Sequence, residues 1–420
     1  MIFAARCDLE LCLGNPAPPP EESTMKAAMF GLVGLLMGSG VAHAQDLPAG
    51  KGAADSYLQA CVAMGVGFWQ LPGSDTCVKI SGEVRADYVI TRQRTREDDY
   101  TGFTTRGQIG FDARTDTDYG LLRSFFLIDA YVGPAAKTEF VIDKAFLQFG
   151  GLTAGYAHSF FGIYDLDYGN DLLQPYFGYA ATTNLIAYTQ DFGAGLSATL
   201  SLEDARATRS NVLRFGFPFE PQPAGGAVLP DIVGNLRLDR DWGTLAVFGA
   251  GHQIRYPGPP QIGGSSYGYA VGAAFGLNLP IRSGAHIAVE GTYADGASAY
   301  LGWQQVDAAY ENFSRRTDLG RGWAITGEMG VNITPALTVN LLGSYLDFSG
   351  ATTRDFVNPA APDVRGWVAG GNAVYTVTRG LSFGIEGFYS SYRAKGGQDF
   401  FPYEEDIRGW TGVLRVRRTF

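Results

Sequence analysis

The sequence predicts an all-β fold, a transmembrane antiparallel β-barrel of about sixteen strands with short turns at one end and longer loops at the other. Three observations predict it. Composition is the first: among 420 residues there are 57 Gly, 22 Tyr and 27 Phe, and charged residues make up only 18%, below the usual quarter or so of soluble domains. Mean hydropathy is −0.02, as expected when apolar outward residues alternate with polar inward ones. The second is a period-two alternation that recurs to the last residue, with no useful helical period beside it. The third is the alternation of short and long connections. A net charge of −10 leaves no basic footprint for nucleic acid, and no nucleic-acid partner is expected.

Taken in order, the chain opens with residues 1–24, which carry Cys7, Cys12 and Pro18-Pro19-Pro20 and make a poor n-region. They read as an over-extended start, the alternative being a genuine cytosolic extension. Residues 25–44 read as a signal peptide. Lys26 precedes an apolar stretch from Ala27 to about Ala42, too short for the ~20 residues of a membrane span. Ala42-His43-Ala44 then supplies a small-x-small cleavage site. Residues 45–77 form an N-terminal segment on the periplasmic side. It holds Cys61 and Cys77, a disulfide candidate in an oxidising compartment. Two unrelated buried thiols are the alternative. No metal spacing accompanies them, and no metal or cofactor is expected.

The barrel itself is expected over residues 78–420. In its first strand, Val78, Ile80, Val84, Ala86, Tyr88 and Ile90 share one face, and Lys79, Ser81, Glu83, Arg85 and Asp87 share the other. So many ionisable groups on one face suit a wet lumen. Downstream, Ile287, Val289 and Tyr293 oppose His286, Glu290 and Thr292. Trp323, Ile325, Met329, Val331 and Ile333 oppose Ala324, Thr326, Glu328 and Asn332, and Leu381, Phe383, Ile385 and Tyr389 oppose Ser382, Glu386 and Ser390. Aromatic residues near the segment ends match interfacial girdles.

Short turns are expected near Thr117–Gly120, Gly150–Leu152, Asp191–Gly195, Asp241–Gly243, Pro280–Gly284, Thr334–Ala336 and Thr378–Gly380. Longer links fall near Arg92–Tyr100, Gly133–Thr138, Phe160–Thr183, Arg206–Leu229, Ile254–Ser266, Gly296–Arg321, Ser349–Val364 and Arg393–Asp406. Short periplasmic turns and long extracellular loops are how outer-membrane barrels separate their two ends. The resulting even strand number closes the wall and leaves no edge in lipid. The last strand runs from Trp410 to Phe420, with Trp410, Leu414, Val416 and Phe420 on one face and Arg415 and Arg417 on the other. Its terminal Phe420 resembles the signal read by barrel-assembly machinery. Arg418 departs from the usual apolar residue there, and snorkelling makes it tolerable.

An enzyme in the same wall is the main rival, since hydrolysis needs an activated nucleophile. Beyond the signal stand only His158, His252 and His286, none in a Gly-x-Ser-x-Gly or His-Glu-x-x-His context. No enzymatic activity is expected. An adhesion barrel would show dominant loops and internal repeats, and neither is present.

Specific segments then carry a family resemblance. They are Tyr57-Leu-Gln-Ala-Cys61, Gly65-Val-Gly-Phe-Trp69-Gln-Leu-Pro72-Gly73-Ser-Asp-Thr-Cys77 with the following Gly82-Glu-Val-Arg85, and Ala145-Phe-Leu-Gln148-Phe-Gly150-Gly151-Leu-Thr-Ala-Gly155. Leu229-Pro230-Asp-Ile-Val-Gly234-Asn-Leu236 with Trp242-Gly243, and Arg415-Val-Arg-Arg-Thr-Phe420, complete the set. The chain resembles the alphaproteobacterial general porins over essentially its whole mature length.

The resemblance implies sixteen strands, a homotrimer in the outer membrane of a Gram-negative bacterium, contact with lipid and lipopolysaccharide, and passive diffusion of small hydrophilic solutes. It also implies a third loop folded inward as a constriction. Asp165, Asp167 and Asp171 would be its acidic side, and Arg85, with Arg114 and Arg123 after it, the basic wall. An ordinary solvated loop is the bland alternative for the three acids. Small-residue strand faces such as Gly268 to Gly276 would pack between barrels. A substrate-selective channel is the nearer variant, and the mixed charge of Glu83, Arg85 and Asp87 favours a general pore.

Overall fold

The computed structural model describes residues 59–92, 95–133, 138–164, 168–214, 222–257, 264–310, 317–352, 361–398 and 401–420. Residues 1–58, with the expected extension and signal peptide, lie outside the described residues, as do Asp165 and Asp167.

Sixteen strands form one closed antiparallel barrel. They are β1 (Cys77–Thr91), β2 (Thr101–Thr117), β3 (Gly120–Val132), β4 (Thr138–Phe149), β5 (Leu152–His158), β6 (Thr182–Gly193), β7 (Leu196–Glu203) and β8 (Asp231–Arg240). The second half is β9 (Gly243–Arg255), β10 (Ser265–Asn278), β11 (His286–Asp295), β12 (Arg321–Thr334), β13 (Leu337–Ser349), β14 (Asp363–Thr378), β15 (Leu381–Gln398) and β16 (Phe401–Thr419). Each strand pairs with its chain neighbours, and β16 pairs back onto β1 from Glu83↔Thr419 to Thr91↔Thr411. Closure leaves no row of unpaired backbone groups, which lipid would not tolerate.

The packing is inside-out. Glu83, Asp129, Glu290, Glu328 and Glu386 are buried, whereas Ile186, Leu200, Val247, Leu341 and Ile385 lie exposed on the outer face. An apolar outer belt over a polar interior is stable only with hydrocarbon outside. The parity expected for β1, β11, β12, β15 and β16 is observed. One expectation about faces is corrected. Along β10 the small residues Gly268, Ala270, Gly272, Ala274 and Gly276 face inward, and Tyr267, Tyr269, Val271 and Phe275 face outward. The small side chains make room for rings inside the barrel: Phe248 lies over Gly272 and Tyr168 over Gly276.

All seven short turns stand where expected. The loops between them are L1 (92–100), L2 (133–137), L3 (159–181), L4 (204–230), L5 (256–264), L6 (296–320) and L7 (350–362). The eighth link is corrected. No loop spans Arg393–Asp406, because β15 continues to Gln398 and β16 begins at Phe401. Cross-strand charge explains the extension: Arg393 faces Asp406 and Lys395 faces Glu404 in register, and opposite charges directly across an antiparallel pair favour pairing. L4 and L6 build a separate four-stranded sheet at the loop end, in which Asn211–Arg214 runs parallel to Val306–Tyr310.

Cys61 and Cys77 are joined, with their Cα atoms 6.1 Å apart. The closed segment tucks Phe68 against the inner wall, where Arg114 lies 4.5 Å over its ring and also donates to the Met64 carbonyl at 3.1 Å. At the seam, Gly82 and Phe420 exchange backbone hydrogen bonds of 3.1 and 3.0 Å.

Candidate functional site

Two unlike walls face each other across the lumen. One is a lattice of ions on β16, β1, β2 and β3, whose inward positions are fixed by strand parity. Arg415 makes a two-point contact with Asp87 at 2.6 and 2.8 Å. Arg417 reaches Glu83 at 2.7 Å. Arg106 lies 3.4 Å from Asp129, which also accepts Gln108 at 2.8 Å and the Tyr131 hydroxyl at 2.7 Å. Arg85 sits in the middle, directly opposite Arg417 on one side and Arg106 on the other. Like charges in register repel, so Glu83 and Asp87 between them are what hold three guanidiniums together. The ion contacts of Arg85 itself are long, 3.9 Å to Glu83 and 3.5 Å to Asp87.

Arg114 and Arg123 occupy a different level. Both grip Asp112, through contacts of 3.2 and 2.8 Å from Arg114 and 2.9 and 3.0 Å from Arg123. Register places them further along the wall, where β2 meets Cys77. They face the lumen, as expected, but stand near the turn end beside the disulfide-closed segment rather than level with Arg85.

L3 supplies the facing surface. It leaves β5, lies within the barrel and returns to β6, and its described residues are fastened to the wall at several points from β7 to β15. Phe160 N–H donates to Glu203 at 3.1 Å, and its carbonyl accepts from Asn235 at 2.8 Å. Ile163 and Tyr164 N–H share one oxygen of Glu290 at 2.8 and 3.0 Å. Glu328 takes the Asn170 N–H at 3.0 Å, its side-chain amide at 2.7 Å and the Tyr164 hydroxyl at 3.1 Å. Glu386 takes Leu172 and Leu173 N–H at 2.7 and 2.9 Å. A carboxylate that accepts backbone N–H groups is a strong, charge-assisted anchor, and here four glutamates, Glu203, Glu290, Glu328 and Glu386, dock one loop. Apolar packing finishes the job: Phe161, Ile163, Phe177 and Tyr179 join wall and L6 residues in the largest buried cluster.

Of the expected acidic residues, Asp171 is half-buried on L3, between the Glu328 and Glu386 anchors. The inward Glu386 neighbours the Arg415 corner of the ion lattice. L3 and the lattice therefore bound the same level of the lumen. Arg106, Arg415 and Arg417 were not singled out from sequence as wall groups at this level. For Arg415 and Arg417 the signal was present, because both fall on the polar face of the last strand. Among the described residues, no group of three or more His, Cys, Asp and Glu side chains could hold a metal ion.

Comparison with known proteins agrees with this geometry. The profile of a family described as the Porin subfamily matches residues 48–406. Porin Omp2b of Brucella canis is 22% identical over 417 residues, covering 94% of this chain and 99% of its own length. Porin Omp2b of Brucella suis is 24% identical over 376 residues, covering 82% and 98%. Among solved structures, the outer membrane channel DcaP of Acinetobacter baumannii superimposes with a TM-score of 0.65 at 14% identity, covering 83% of this chain and 98% of its own.

Proposed function

This chain belongs to the Porin subfamily and is a channel of the Gram-negative outer membrane, and from that premise we propose that it is a general pore for passive diffusion of small hydrophilic solutes and ions. The observation that carries the reading is the pairing of a fastened L3 with an arginine-rich wall at one level of the lumen. Such a gap sets a transverse field that orients dipolar solutes and disfavours apolar ones. Arg85, at the centre of the arginine row with long ion contacts of its own, sets the field of this wall, and the more exposed Arg417 beside it presents the row to solutes. Asp171 belongs to the facing edge. Asp165 and Asp167 remain its proposed companions from their place in the same loop.

The proposal extends to a homotrimer, and to Phe420 as the residue by which barrel-assembly machinery recognises the chain. The trimer contact surface is sought on an apolar outer face, since the small-residue face of β10 points inward.

Planar-bilayer recording tests the main claim. Purified protein is expected to give stepwise ohmic currents, with a reversal potential in a salt gradient that shifts toward cations in Arg85→Glu. Membranes that stay silent overturn the reading. Currents blocked strongly by one sugar replace the general pore with a selective channel. Heat-labile migration above monomer mass on a gel is the expected sign of the trimer.

A further inference from the structure

One buried polar cluster takes no part in the constriction. His252, near the loop end of β9, is 4% exposed. Its Nδ1 lies 2.8 Å from Asp231 Oδ1 at the start of β8, and its Nε2 lies 3.9 Å from Asp307 Oδ2 on L6. The other oxygen of Asp231 accepts the Thr208 hydroxyl of L4 at 2.6 Å and the Tyr300 hydroxyl of L6 at 2.8 Å. Asp307 accepts the Ser298 N–H at 2.8 Å, and the Ser298 hydroxyl meets that of Ser210 on L4 at 3.2 Å. Arg209 of L4 acts on the ring through space, and Glu203 of β7 lies within charge reach of Asp231. Asp231, Ser298, Tyr300 and Asp307 are at most 1% exposed.

The chemistry of the ring sets the logic. A neutral imidazole carries a single N–H, so it would turn a lone pair toward one of the two carboxylates. Both contacts are satisfied only when a proton lies between Nε2 and Asp307, on the ring or on the carboxyl. The cluster also ties the barrel wall, at β8 and β9, to both L4 and L6 through side chains. Through Tyr300 it reaches L3, because that ring lies 4.5 Å from Phe161 and 4.7 Å from Tyr179.

We propose that His252, Asp231 and Asp307 form a proton-dependent latch that holds L4 and L6 down upon L3, so that the steadiness of the constriction depends on pH. The sign follows from which protons the docked loops retain. Burial, opposed by His252, pushes the Asp307 carboxyl above its ordinary range. Burial likewise pushes the Tyr300 hydroxyl far up. A group raised in the docked state contributes stability that is full at low pH and lost as pH rises through its docked value. Whether the shared proton rests on the ring or on Asp307, the docked pair keeps one that the released pair gives up as pH rises, and the Tyr300 hydroxyl points the same way. Alkali opens the latch.

The inference rests on the porin reading for its electrical readout, so the test has a second arm. Single-channel currents of the full-length protein are recorded from about pH 6 to pH 10, a range that spans histidine deprotonation in a charged pocket. Wild type is expected to pass from quiet to flickering current, with the ratio of flickering to quiet intervals rising about tenfold per pH unit, as linkage to one proton requires. His252→Gln is expected to flicker at every pH without a transition. The double variant H252Q/D307N, a neutral pair that can still hydrogen-bond, is expected to be quiet and flat with pH. Limited proteolysis in detergent should show the same transition as increased cleavage of L6 in wild type alone. A current that is flat with pH in wild type, or a transition that survives in His252→Gln, overturns the latch and leaves the pore intact. Absence of any current, with the proteolysis transition present, overturns the pore and leaves the latch.

Discussion

Asp87 is the residue on which the charged wall turns. It is 2% exposed, and its two oxygens hold Arg415 from a strand 328 positions away while Arg85 stands close by. Removing one partner of a buried, hydrogen-bonded ion pair typically costs about 3–5 kcal/mol, because the other charge is left uncompensated. Asp87→Asn is therefore expected to cost about 3 kcal/mol, read as a lower midpoint in urea unfolding from detergent, with Arg415→Gln recovering part of the loss when combined with it. A full, additive loss in the double variant means the pair is not coupled. The same residues show what a sequence discloses at this scale. Glu83, Arg85 and Asp87 share a face by period two within one strand, so their common direction was legible at once. That Arg106 and Arg417 flank Arg85 depends on register between strands, and register is set by contacts far apart in sequence. Nor could any spacing reveal His252, whose partners come from β8 and from two loops.

At the scale of elements, L3 is held less by its own sequence than by the wall beneath it. Its inward course was expected from the family resemblance. The wall glutamates Glu290, Glu328 and Glu386 were legible only as polar alternations, and their role emerges from the loop that lies on them. Glu386 shows the consequence. It accepts two adjacent backbone N–H groups and a side-chain amide from Asn372, and hydrogen bonds to a charged group contribute about 1.5–3 kcal/mol each. Glu386→Gln can keep only part of that set, so the tip of L3 is expected to lift. The measurement is single-channel conductance beside liposome swelling with solutes of graded size: both should rise, while the barrel keeps its heat-modifiable migration. Unchanged size exclusion would show that the remaining anchors suffice. The β15–β16 hairpin makes the complementary point. Polar, Gly-containing sequence around Arg393–Asp406 has the composition of a loop, yet paired charges across the strands prolong the ladder, and composition carries no record of pairing.

For the whole molecule the decisive contact is the seam. A barrel of sixteen strands is closed only when β16 finds β1, and the last residue completes that match: Phe420 exchanges two backbone hydrogen bonds with Gly82 and lays its ring where a Cβ at position 82 would fall. The glycine is needed for this close approach, since any side chain there meets the ring and the Gln108 carbonyl. Two separable demands thus fall on Phe420, to seal the wall and, as proposed above, to be recognised during assembly. Substitution can tell them apart. Gly82→Val keeps the terminal aromatic but crowds the seam, and should lower the yield of folded barrel in detergent and in cells alike. Phe420→Ala keeps the backbone exchange and relieves the crowding, so refolding in detergent should fall little while the amount reaching the outer membrane falls severely. Equal losses in both settings for Phe420→Ala would mean that the residue acts through closure alone, and the last aromatic would then be a structural latch of the wall rather than a signal.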